Sequence, residues 1–473
     1  MNPLARERRS RDTRPQPAWR PPATPCKAAQ SPPPPAMKRL ALLLPLLALA
    51  AAPARAADPA TSEAAALVAE ADRLCLYAPV DFARADELLR RAEAAGSADA
   101  IAVRGFMAAN GEGVPYDPGR ARELFREAAA RGSARGRIQH AVERLGGPDA
   151  DAALRELASV ADSDDPYAWL ACDKLALHYE RRASRSAAAP VNRSDNALAG
   201  LYYARALSRL DSRAKAGDPE ARVAYGELLL FPRTSGDIWE PDAAWARAEN
   251  ARQWLLPEAE KGNLSALSMA VESFETNFFP RPSFLPDDPA AAASNAATRV
   301  RLRDRLVAGL QQAVDQGGVD QAVWLADKLL GGLLHGDGET AETDPARAAA
   351  LLRTAADAGH PYAAFLLARC HERGIGVPQD AAAAQARYRA VLAADPRDAD
   401  SSRAEAAERL ARLLLREGPA GEPEAKRLLK LAHKDPFRFC GVAGRALRAW
   451  KENGPADALR ILDDFYPADP ATP

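Results

Sequence analysis

Small and apolar residues recur along this chain at intervals of three and four, the spacing that lines one face of an α-helix. Between residues 97 and 132 the pattern is legible side chain by side chain. Ala100, Val103 and Met107 share one face, and Ala121, Phe125 and Ala128 share another. Between them runs Gly111-Glu112-Gly113-Val114-Pro115, whose glycines accept the left-handed backbone angles that end a helix. Asp117 stands where a side-chain oxygen can accept from the free N–H groups of the next helix, and Gly132 stands where that helix should stop. The spacing predicts a helix, a glycine turn and a second helix.

The same unit returns. Residues 360–395 align on 97–132 without a gap: Gly374 falls on Gly111, Gly376 on Gly113, Val377-Pro378 on Val114-Pro115, Asp380 on Asp117, Ala384 on Ala121 and Tyr388 on Phe125. The second-helix half recurs more often. Counting from the capping Asp, a small residue comes four positions on, a large one at eight, a small or apolar one at eleven and usually Gly at fifteen. Asp81, Ala85, Leu89, Ala92 and Gly96 fit, as do Asp344, Ala348, Leu352, Ala355 and Gly359. Asp380 and Asp149 begin two more copies, which end on Asp395 and Asp164 in place of Gly. Small residues on such a stripe let neighbouring helices approach closely, so packing alone accounts for the pattern.

This unit resembles the Sel1-like repeat, a relative of the tetratricopeptide repeat with a longer loop inside each helix pair. The resemblance implies an all-α fold, an α-solenoid wound as a right-handed superhelix of stacked helix pairs, and work as an adaptor between proteins. Gly111, Gly113, Asp117 and Ala121, with Gly374, Gly376, Asp380 and Ala384, are its repeat-defining positions. Typical repeats lie at 97–132 and 360–395, with degenerate copies elsewhere in 57–473, and about ten helix pairs are expected. A single pair cannot bury its apolar face, so each must lean on its neighbours. The stretch 181–216 lacks turn glycines and is expected to hold one long atypical helix. Phe231–Glu240 lengthens the loop of another unit.

Composition agrees with helices: 47% of residues are hydrophobic and only 6% aromatic. Net charge is −1, but the ends differ. Ten of the 63 basic residues and two of the 64 acidic ones precede Ala57, which leaves about −9 on the remainder. An acidic body without a basic run argues against nucleic acid, whose phosphates need clustered Lys and Arg. Met37-Lys38-Arg39, the apolar run Leu40–Ala52 and Ala54-Arg55-Ala56 read as a secretory signal over 37–56, cleaved after Ala56. That run is too short to span a bilayer, so no transmembrane segment is expected in the mature chain and a periplasmic or secreted product is. The Pro- and Arg-rich leader 1–36 is expected to be disordered. It leaves open whether Met1 or Met37 is the true start. Cys75, Cys172, Cys370 and Cys440 show no regular spacing, which favours free thiols over a disulfide framework.

No recognisable catalytic or cofactor signature is present. Gly111-Glu112-Gly113 and Gly374-Ile375-Gly376 follow helices and lack the Lys-Ser/Thr ending of a phosphate loop. His140, His178, His335, His360, His371 and His433 include no pair at metal-ligand spacing. The expectation is therefore no enzyme, no cofactor and no metal. Trp239, Phe278, Phe279 and Phe284 concentrate aromatic surface outside the helical period; either their loops fold over the solenoid flank and cover its seam, or they are the candidate anchors for a protein partner. The functional expectation is an exported scaffold or adaptor in the bacterial cell envelope. The alternative is a binder of one target, such as a periplasmic immunity protein.

Overall fold

The computed structural model describes residues 59–185, 189–233, 241–274, 288–331, 334, 343–398, 402–434 and 441–466. Among them lie twenty α-helices, which fall into ten successive pairs. The first unit holds α1 (Pro59–Leu76) and α2 (Phe82–Ala94), and the second holds α3 (Ala98–Asn110) and α4 (Pro118–Ala130). Next come α5 (Ala134–Arg144) with α6 (Ala150–Ala161), and α7 (Ala168–Arg185) with α8 (Ala189–Lys215). The fifth and sixth units are α9 (Pro219–Leu230) with α10 (Pro241–Glu260) and α11 (Leu264–Ser273) with α12 (Pro289–Asp315). Then follow α13 (Val319–Leu330) with α14 (Pro345–Asp357), and α15 (Pro361–Arg373) with α16 (Ala381–Ala393). The chain closes with α17 (Ser402–Glu417) and α18 (Glu422–Lys434), then α19 (Val442–Asn453) and α20 (Pro455–Phe465). Each helix packs on the one before and the one after it, so the protein is an all-α solenoid.

Two kinds of local signal set these boundaries. Four second helices begin at an Asp whose carboxylate accepts from the backbone three residues on: Asp81 from Arg84, Asp117 from Arg120, Asp344 from Arg347 and Asp380 from Ala383. Asp149 is different. It occupies the cap position of α6 but makes no side-chain cap bond there. First helices of the typical units end on Gly111 and Gly374, both in the left-handed conformation.

The stretch 181–216 holds the expected long helix, the 27-residue α8, after the end of α7, and the two double back on each other. Arg182 pairs with Asp195, and Tyr179 stacks on Tyr202 at 5.9 Å, so later positions on α7 meet earlier ones on α8 as antiparallel neighbours must. Between Arg181 and Asn196 no glycine announces the reversal, and Pro190 just inside α8 is its one mark in the sequence.

First helices are the more deeply buried. On α3, Ala100 to Val103 and Gly105 to Ala108 are all inaccessible, and on α15 every residue from Pro361 to Cys370 is. A helix buried all round is a core element, not a surface one. Second helices bury one stripe only, as on α2, where Phe82, Ala85, Leu88, Leu89 and Ala92 face inward. The solenoid thus has first helices inside and second helices outside.

Winding brings distant units together. One apolar core joins residues 68–128 directly to 223–466, while residues 134–228 form a core of their own. A linear stack would give no such connection. The first superhelical turn therefore sits on the second.

Candidate functional site

The contact between turns is built from the loops of the first two units. Ala78 donates to the Gly262 carbonyl at 3.0 Å, and Tyr77 forms a β-bridge with Asn263. Gln312 and Gln316, near the end of α12, accept from Val80 and Phe82 at 3.2 Å each. Val319 donates to the Gly111 carbonyl at 3.2 Å, and Gln321 donates to Glu112 at 2.8 Å. The Tyr116 and His360 rings lie 4.9 Å apart, and Arg122 pairs with Asp398 at 2.5 Å. The two typical repeats, chosen from sequence for their similarity, thus touch each other.

Of the repeat-defining glycines, Gly111 takes on a second duty at this seam, while Gly113 packs on the neighbouring first unit. A Cβ on Gly111 would stand 2.7 Å from Val319 Cγ2, and one on Gly113 would stand 2.6 Å from the Phe82 Cβ. Gly374 turns its own helix in the same way but faces only Gln379, at 3.4 Å. Gly376 approaches the Pro345 carbonyl too closely for any side chain. Ala121 and Ala384 are buried on the stripes of their second helices, beside Phe125 and Tyr388.

The interior is rich in charge, which no helical pattern had announced. On α1 and α5, Asp72 and Arg135 are completely buried and pair at 2.7 Å, with the guanidinium 4.4 Å from the centre of the Tyr167 ring. Burial lifts the Asp72 carboxyl above its ordinary value, against the pull of Arg135. Arg233 binds both Asp173, at 2.8 Å, and Glu227, at 3.2 Å, while Lys174 holds Asp173 from the other side. Around Glu372, Arg412 approaches to 2.5 Å, Arg409 to 3.3 Å and the Tyr388 hydroxyl to 2.5 Å. Burial alone would raise Glu372, but the two guanidiniums outweigh it and hold the carboxyl below its ordinary value. The first two knots balance in charge, and Glu405, 2.8 Å from Arg409, supplies the second carboxylate of the third, so these charges are held by one another.

Cavities are small. A surface depression of about 200 Å³ is lined by Ala64, Ala65, Val68, Ala95, Gly96, Ser97 and Asp99, and a space of about 20 Å³ lies in the seam beside Cys75 and Glu112. Among the described residues no group of three His, Cys, Asp or Glu side chains could hold a metal ion, and no helix is long and apolar enough to cross a membrane. Cys75, Cys172 and Cys370 are buried free thiols, each pushed up by burial. Cys440 lies outside the described residues.

What remains accessible is the outer surface. Leu201 on α8 is 55% exposed, and Val300 on α12 and Leu431 on α18 are exposed too. Residues 288–297 at the start of α12 are open to solvent on every side, so this helix projects past the stack. The predicted partner anchors Trp239, Phe278, Phe279 and Phe284 lie outside the described residues, as do the signal at 37–56 and the leader before it. Sequence reasoning missed the seam residues Gln312, Gln316, Val319 and Gln321, for which no periodic signal exists.

The model of the Sel1 repeat matches the chain at residues 98–133, 325–360 and 361–387. No curated protein matches the sequence. Among solved structures, the Sel1 repeat protein from Oxalobacter formigenes is 19% identical, covering 78% of this chain and 80% of its own, with a TM-score of 0.32. A protective antigen present in uropathogenic Escherichia coli strains, displaying an SLR fold, is 16% identical, covering 82% and 80%, with a TM-score of 0.27. The matched stretches coincide with the glycine-turned units α3–α4, α13–α14 and α15–α16, and there the chain carries Sel1 repeats.

Proposed function

We propose that this protein is a non-enzymatic scaffold that is exported to the bacterial cell envelope and gathers protein partners on its outer surface. Sel1 repeats generally mediate contacts between proteins. The observation that carries the proposal here is the disposition of side chains in the stacked units. The buried knots at Asp72, Asp173 and Glu372 spend their charges on one another, whereas second helices turn a long row of faces outward. A surface of that length suits several partners better than one small ligand. Export rests on the three-part segment at 37–56, and it supports a periplasmic or secreted location.

The test is recovery of a C-terminally tagged chain from the native host after mild crosslinking, with quantitative mass spectrometry of compartment and companions. Several envelope proteins in constant ratio are expected. Recovery from the cytosol alone would overturn the export, and a chain that carries no protein at constant ratio would overturn the scaffold.

A further inference from the structure

Glu112 is the one carboxylate that the seam itself encloses within its small cavity. It projects from the turn after α3 into the space shared by Cys75, Leu76 and Asn110 of the first turn and Leu264, Ser265, Gln321 and Trp324 of the second. Its Oε1 accepts from Gln321 at 2.8 Å and from Asn110 at 3.2 Å, and no donor among the described residues reaches its Oε2. Nearby charges do not favour a carboxylate. Asp72 faces it from α1, where the Cys75 thiol also lies, and Asp320 faces it from α13. Other groups of this region are already committed: Arg135 to Asp72 at 2.7 Å, while the His360 ring, ahead of α15, meets Asp320 at 3.2 Å with Tyr116 against it. The walls from α11 contribute Leu264 and Ser265, without charge.

We infer that closure of the first turn on the second is proton-linked at Glu112: the neutral carboxyl fits the seam, and the carboxylate loosens it. Burial is the main cause of a rise from 4.5 to about 7, opposed by the two amide donors and reinforced by Asp320 and Asp72. A closed seam therefore holds a proton that an open one releases between those values. Closure is tightest at low pH, weakens as pH rises through about 7 and changes no further above it. Opening would separate the loops at 77–82 and 110–116 from their partners and expose edges of both turns. Those edges are then exposed more often above neutrality than below it.

The seam carries its own reporters, because the Val319 and Ala78 N–H groups bond across it. Hydrogen exchange of the full chain from pH 5 to 8, expressed as protection relative to the unstructured rate at each pH, reads its opening directly. Protection at both amides is expected to fall by at least tenfold, up to about two powers of ten, while amides within α7 and α8 keep theirs. In Glu112→Gln it is expected to stay level. Level protection in the unaltered protein, or an undiminished fall in Glu112→Gln, would overturn the inference. Should that variant fail to fold, Asp320→Asn removes a neighbouring negative charge and must shift the midpoint of the fall to lower pH. An unmoved midpoint counts equally against the inference.

Discussion

A single glycine shows how turn chemistry and long-range packing combine. Gly111 and Gly374 end equivalent helices, with φ of 66° and 73°, so replacing either by Ala places a side chain in left-handed backbone at a cost of about 1 kcal/mol. Only Gly111 also lies against another turn, where the added methyl would press on Val319. Gly111→Ala should therefore destabilise by roughly 1–3 kcal/mol more than Gly374→Ala, and urea denaturation of the two variants measures the difference. Equal losses would show that the Val319 contact is slack. Both glycines were legible as turn residues, since Gly-x-Gly-Val-Pro interrupts a helical period twice. The duty of Gly111 at the seam was not legible. Its neighbours Glu112 and Gln321 are 209 positions apart, and nothing local marks either as a partner of the other.

Helices were legible to differing degrees. Second helices announce themselves because one buried stripe, an Asp before it and a Gly after it agree, as on α2 and α14. First helices of the typical repeats announce their existence but not their depth, because α3 and α15 are buried on all sides, and others carry inward charges such as Arg135, Glu227 and Arg409. Internal pairing satisfies those charges, so the polar residues that would suggest a solvated face instead lie in the core. The doubling back of α7 on α8 was missed for want of a punctuating glycine. Cap geometry yields a prediction at this scale. Asp81→Ala and Asp344→Ala each remove a carboxylate that accepts from a free helix N–H, and each should cost about 1 kcal/mol. Asp149→Ala removes none and should be close to neutral. Thermal or urea denaturation of the three variants tests this, and an equal loss at Asp149 would contradict the assignment of its carboxylate.

At the scale of the whole molecule, the repeat period dictates what each unit does to the next and is silent on how many units complete a turn. That number follows from small rotations accumulated over several pairs, and here it brings units one and two onto units five to eight. The closed turn decides which surfaces a partner can reach: second-helix faces and the projecting start of α12 are open, while first-helix faces are enclosed by the protein itself. It also makes the stack less than purely one-dimensional, because loss of the second unit removes contacts from the seventh and eighth as well as from its neighbours. The most direct measurement is a photo-crosslink. With a photoreactive phenylalanine in place of Tyr116, irradiation of the purified chain should join position 116 to the peptide containing His360 within one molecule, at a yield independent of protein concentration. Absence of that intramolecular link, or a link formed only between two copies, would contradict the closed turn.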